Sequence, residues 1–110
     1  MTIPTPTTRT RTFKSYETGE QVTERVTDWT VGAYTLRKTE EPGYIGWGAI
    51  KADSTRPRIE DVAGFGQPSE FGVSCSSISD MSPEEAAIYA AQIAEAAEIA
   101  STFNEIVAAN

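Results

Sequence analysis

The chain has 110 residues, a formal net charge of −7 and 39% hydrophobic residues, which suits one globular domain with a modest core. Histidine is absent and Cys75 is the only cysteine, so His-based catalytic triads, zinc sites of His and Cys, and internal disulfides are excluded. There is no apolar run long enough to span a membrane and no apolar signal-peptide segment at the N-terminus. We therefore expect a cytoplasmic protein without membrane contacts.

Charge is distributed unevenly along the chain. All nine lysines and arginines lie within residues 1–58, together with seven acids, whereas residues 59–110 contain nine acids and no cation. Two interpretations are open: the two halves attract each other within the fold, or one face is kept for a partner of opposite charge. We favour the first interpretation.

The N-terminal two thirds of the chain predict a small antiparallel sheet. Residues 1–7, with Pro4 and Pro6 among threonines, predict a flexible tail ahead of a single domain over 8–110. Alternating apolar and polar positions predict strands at Thr8–Tyr16, Gln21–Thr27, Trp29–Lys38, Tyr44–Lys51, Arg58–Ala63 and Glu70–Ile78. The expected fold class is α+β: an antiparallel meander of four or five of these strands packed with one long C-terminal helix.

The helix is predicted from residue 83 to residue 107. Ser82 is suited to the N-cap, Pro83 to the first helical position, and Glu85 to closing a capping box. The apolar positions form an arc of roughly 200°, wider than a sheet of short strands needs to cover. We therefore expect a homodimer in which an exposed row of helix residues meets a second copy: Ile88, Ile99, Phe103 and Ile106. The alternative is that the loop Gly64–Pro68 or the N-terminal tail covers this row.

Glutamates lie on the side of the helix opposite the apolar arc. We name this group the acidic ridge: Glu84, Glu95, Glu98 and Glu105. A solvated surface explains such a group in most proteins. The functional alternative is that the ridge faces a basic surface of a host protein, or imitates the phosphates of DNA to inhibit such a protein. Nucleic-acid binding by the basic N-terminal half is disfavoured by the net negative charge.

No catalytic, cofactor-binding or metal-binding residue is predicted. Cys75 occupies an inward position of the last predicted strand and has no histidine to activate it, so we expect a buried, unreactive thiol. The adjacent acid pairs, such as Glu40-Glu41 and Glu60-Asp61, suit solvated turns better than carboxylates converging on a cleft. We expect a protein that is not an enzyme and needs no cofactor.

One segment resembles a known group of proteins. The run ISDMSPEEA over residues 78–86, followed by Ala90-Ala91-Gln92-Ile93 and Ala96-Ala97, resembles the C-terminal ends of short actinobacterial and actinobacteriophage accessory proteins. The resemblance implies a small accessory protein of a phage or mobile element and carries no activity with it. We expect a non-catalytic interaction protein, such as a regulator or inhibitor acting on a host protein.

Overall fold

The computed structural model describes residues 3–75 and 80–110 and confirms the predicted α+β class. Four strands form an antiparallel meander in the order β1-β2-β3-β4, and two short strands, β5 and β6, form a separate antiparallel pair. A long helix, α1, follows them. The bounds are β1 Thr7–Lys14, β2 Gln21–Val31, β3 Tyr34–Glu41, β4 Tyr44–Lys51, β5 Arg58–Asp61, β6 Phe71–Ser74 and α1 Pro83–Ala109.

The turn between β2 and β3 differs from the sequence-based prediction. The continuous strand predicted over Trp29–Lys38 is wrong, because the chain reverses at Gly32 and Ala33. Gly32 has a φ of +58°, which glycine adopts without strain at the first central position of a two-residue hairpin turn. Val31 and Tyr34 pair across this turn and face the same side, so the buried apolar positions change from odd numbers, Trp29 and Val31, to even numbers, Tyr34 and Leu36. This change of phase marks the turn.

The core lies between the meander, the β5-β6 pair and the second half of α1. Trp29 of β2 stacks on Trp47 of β4 with ring centroids 5.7 Å apart. Phe103 of α1 meets Phe71 of β6 edge to face at 6.3 Å, a favourable aromatic geometry. The buried core residues are Trp29, Val31, Tyr34, Leu36, Ile59, Phe71, Ala96, Ile99, Ala100, Phe103 and Ile106.

Helix α1 begins at Pro83, as the sequence predicts, and ends at Ala109, two residues beyond the predicted end. The Ser82 hydroxyl accepts a hydrogen bond from the Glu85 amide at 3.1 Å, and the Glu85 carboxylate accepts one from the Ser82 amide at 3.3 Å. This confirms the capping box. Every buried residue of the helix lies at or after Ala96, so Pro83–Glu95 projects past the core. The molecule is 55 Å long and 30 by 25 Å across.

A side chain of α1 blocks one backbone edge. The Asn104 carboxamide accepts a hydrogen bond from the Phe71 amide at 2.7 Å and donates one to the Phe71 carbonyl at 3.1 Å. These two bonds satisfy both backbone groups of a strand residue that would otherwise be open to another chain. The contact also fixes β6 against the helix.

Candidate interaction surfaces

The helix row predicted for self-association is largely part of the core. Ile99 is 1% exposed, and Phe103 and Ile106 are fully buried, so the prediction that they form an exposed row is wrong. Only Ile88, at 62%, is open to solvent. The reason is that α1 is covered from two directions, by the meander and by the β5-β6 pair, and two surfaces can bury the wide apolar arc. The loop named as an alternative cover leaves Phe65 fully exposed.

The four glutamates of the acidic ridge are exposed: Glu84, Glu95, Glu98 and Glu105. Thr102, which lies between the last two, is buried. Glu95 pairs with Arg56 at 3.2 Å in the connection between β4 and β5. In the described part of the chain, no lysine or arginine lies within ion-pair distance of the other three. The ridge is thus a mostly uncompensated negative surface.

The cations of the first half are paired mainly with acids of the same half. Asp28 on β2 accepts hydrogen bonds from Arg37 at 2.9 Å and from Arg9 at 3.0 Å, and Arg11 pairs with Glu24. The Arg37 hydrogen bond is the larger cause of the lowered pKa of Asp28, and Arg9 adds to it. These residues form a charge network on the sheet face away from the helix.

The favoured interpretation of the charge layout therefore has limited structural support. Among the described residues, Arg56 and Glu95 form the one ion pair that joins distant parts of the two halves, since the pair of Arg58 with Glu60 at 3.6 Å lies within β5. A second link is the hydrogen bond that Lys38 donates to the backbone carbonyl of Asn110 at 3.3 Å. The negative field of the second half remains directed outwards.

Cys75 is exposed, so the prediction of a buried thiol is wrong. Strand β6 ends at Ser74, and the inward alternation that buries Phe71 does not extend to the cysteine. The remainder of the predicted strand, residues 76–78, lies outside the described residues. A hydrogen bond with Cys75, together with burial, raises the pKa of the Tyr89 hydroxyl on α1. The thiol therefore lies beside the projecting half of the helix.

A shallow apolar depression lies on β4, on the sheet face away from the helix. Its floor includes Gly46 and Gly48, and its walls are Tyr44, Ile50 and Arg37. A side chain at position 46 would lie 2.5 Å from the Tyr44 hydroxyl, so glycine lets the tyrosine lie along the strand. Of the described residues that line the depression, Arg37 and Tyr44 alone are ionisable. A paired general acid and base are not brought together there.

The outer edge of β1 is the second open feature. β1 stands at the end of the strand order, as predicted for an edge strand, and all eight of its residues are exposed. On the sheet face that carries the core, the side chains of β1 are mostly threonines. Thr8 contacts Thr27 and Thr12 contacts Thr23 across the strand pair. The edge presents backbone groups together with a polar side-chain surface.

The described residues were compared with the requirements of a metal site and of a membrane-spanning helix. Among residues 3–75 and 80–110, no three side chains of His, Cys, Asp or Glu are grouped to hold a metal ion. Helix α1 lacks the sustained hydrophobicity that crossing a membrane requires.

Comparison of the chain with protein-family models, curated proteins and solved structures finds no match.

Proposed function

We propose that the chain is a non-catalytic interaction protein, a phage or mobile-element regulator or inhibitor, that binds a basic surface of a host protein through the acidic ridge. The observation that carries the proposal is the exposure of Glu84, Glu98 and Glu105 with no cation of the described residues near them. Glu98 and Glu105 stand on the half of the helix that is fixed to the core by Phe103 and its neighbours.

The charge composition of the ridge is unusual for a surface that only keeps the protein in solution. Helix surfaces commonly combine glutamates with lysines four residues away, which adds some tenths of a kcal/mol per pair. Helix α1 has five glutamates and no lysine or arginine, and Glu95 and Glu98 are like charges one turn apart. Such a surface attracts a positively charged partner over a distance and accelerates association.

Nucleic-acid binding by the basic half receives less support from the geometry. Arg9, Arg11 and Arg37 already contact Asp28 or Glu24, and a phosphate would have to displace these carboxylates. The net charge of −7 also repels nucleic acid. Imitation of DNA uses the same ridge, so it is a special case of the proposal in which the partner is a DNA-binding protein.

The experiment compares three immobilised baits in an extract of a plausible host. The baits are the native chain, a ridge variant Glu98→Gln/Glu105→Gln, and a control variant Glu17→Gln/Glu20→Gln. The control removes the same charge from exposed positions in the β1-β2 loop. Retained proteins are quantified by mass spectrometry at low and high salt, and again with added duplex DNA.

The proposal predicts a basic protein that the native and control baits retain, that the ridge variant loses, and that high salt releases. Competition by DNA would identify the mimicry form of the proposal. Equal retention of the same proteins by the ridge variant and the native chain would contradict it. A partner lost only with the control variant would place the binding surface on the β1-β2 loop instead.

A further inference from the structure

The free edge of β1 exposes a defined set of backbone groups. The amide of Ser15 donates to the carbonyl of Glu20 at 2.7 Å, which makes these two residues a hydrogen-bonded pair. Bonded and non-bonded pairs alternate along an antiparallel ladder, so Phe13, Arg11 and Arg9 bond to β2. The intervening residues direct their amide and carbonyl groups away from the sheet: Thr8, Thr10, Thr12 and Lys14.

Apart from Lys14 at its end, this edge lacks the features that usually prevent pairing with another strand. β1 matches β2 residue for residue over eight pairs, without a bulge, and contains no proline. Arg9 and Arg11 reach sideways to Asp28 and Glu24 on β2 and so do not fold over the open backbone. The edge of β6, in contrast, is blocked at Phe71 by a helix side chain.

We propose that β1 pairs antiparallel with β1 of a second copy, forming a twofold dimer with a continuous eight-stranded sheet. A twofold axis perpendicular to the sheet keeps the core face of both copies on the same side, so each residue must pair with a residue of the same face. The axis must then pass through a residue of β1. Two such registers use most of the strand, one with the axis at Arg11 and the other with the axis at Thr10.

The register centred on Arg11 gives the better match of backbone groups and of facing side chains. It pairs Thr8 with Lys14 and Thr10 with Thr12 of the opposite copy, so all four outward residues on each strand form bonded pairs. On the other face it sets Arg9 beside the half-exposed Phe13 of the second copy, where a cation and an aromatic ring attract each other. One arginine pair meets at the axis, and each Arg11 is already neutralised by its own Glu24.

The register centred on Thr10 is less favourable, both in its backbone hydrogen bonds and in its side-chain contacts. It leaves the Lys14 carbonyl without a donor, because Pro6 would stand opposite and has no amide hydrogen. It also sets Arg9 beside Arg11 twice, once on each side of the axis. The pairing centred on Arg11 therefore satisfies every outward backbone group from Thr8 to Lys14 and avoids one close approach of like charges.

The dimer would present two α1 helices on the same side of one sheet. Each helix packs on the core face of its own meander, and the twofold axis preserves that side. The two acidic ridges could then contact a single extended basic partner, which raises the effective affinity of the second contact. The dimer itself stands independently of the proposed function, because it depends only on β1.

Thr10→Pro tests the interface, with Thr10→Val as the matched control. The Thr10 amide points to the open edge, so proline there removes an intermolecular donor without breaking a bond to β2. Sedimentation velocity over a micromolar concentration series should show dimers for the native chain and Thr10→Val, and monomers for Thr10→Pro with an unchanged circular dichroism spectrum. A native chain that stays monomeric, or a Thr10→Pro variant that stays dimeric, would overturn the proposal.

Two further measurements keep the test decisive if Thr10→Pro fails to fold. Amide exchange in the native chain should slow at Thr8, Thr10 and Thr12 as concentration rises, and concentration-independent exchange would overturn the dimer. In a Cys75→Ser background, Arg11→Cys places two thiols on the axis at a Cα separation of about 4.5 Å, within disulfide reach. Faster cross-linking of Arg11→Cys than of Thr10→Cys supports the register, and the reverse order would overturn it.

Discussion

Replacing Ile99 with alanine removes three carbon atoms from the middle of the core, where the side chain is 1% exposed. At about 0.8 kcal/mol per buried CH2 the lost transfer free energy is about 2.4 kcal/mol. The cavity left between the helix and the sheet raises the expected loss to about 3 to 4 kcal/mol. Ile88 offers a matched control, since it lies three turns earlier on the same side of α1 but is 62% exposed. Ile88→Ala should cost less than about 0.5 kcal/mol.

Urea unfolding followed by tryptophan fluorescence compares the two variants, because Trp29 and Trp47 lie in the core region. With a denaturant slope of about 1.5 kcal/mol/M, Ile99→Ala should lower the midpoint by about 2 M. Ile88→Ala should leave the midpoint within about 0.3 M of the native value. Similar losses for both variants would refute the assignment of the second half of α1 to the core and of the first half to solvent.

Three other predictions concern hydrogen bonds and caps. Tyr34→Phe removes the 2.6 Å bond from the buried hydroxyl to the carbonyl of Pro57, and should lower the free energy of unfolding by about 1 to 2 kcal/mol in the same urea assay. Hydrogen bonding to Arg37 lowers the pKa of Asp28, so its stabilisation is present above the ordinary carboxyl pKa of about 4 and is lost as pH falls through the lowered value. Asp28→Asn should therefore destabilise the protein at neutral pH, and the difference in urea midpoint should vanish in acid. Ser82→Ala removes a cap worth about 1 kcal/mol, but the first half of the helix has no buried residue, so amide exchange should accelerate in the first turns without a change in the global midpoint.

The predictable parts of the fold are those with local chemical causes. The capping box at Ser82 and Glu85 fixes the helix start, and Pro42-Gly43 fixes the turn between β3 and β4. The turn at Gly32 also leaves a signal in the sequence, because the buried apolar positions change from odd numbers at Trp29 and Val31 to even numbers at Tyr34 and Leu36. The positive φ of Gly32 lets the chain reverse within two residues at that point.

The surfaces were harder to predict because burial depends on contacts distant in the sequence. The width of the apolar arc indicated a second surface over Ile99, Phe103 and Ile106, but it did not say which one. That surface is the β5-β6 pair, held to the helix by Asn104, whose role requires the tertiary structure. Exposure of Cys75 likewise follows from where β6 ends. The acidic ridge needed no such information, since its charge pattern is local to α1.

The most direct test of the proposed function is the affinity between the purified chain and the basic partner retained by the native bait, measured by isothermal titration calorimetry. Removal of two partner-facing charges by Glu98→Gln/Glu105→Gln should weaken binding by roughly tenfold or more, about 1.4 kcal/mol, and should reduce its dependence on salt. The control Glu17→Gln/Glu20→Gln should bind like the native chain. An affinity unchanged by the ridge substitutions, with the same salt dependence as the native chain, would contradict binding through the acidic ridge.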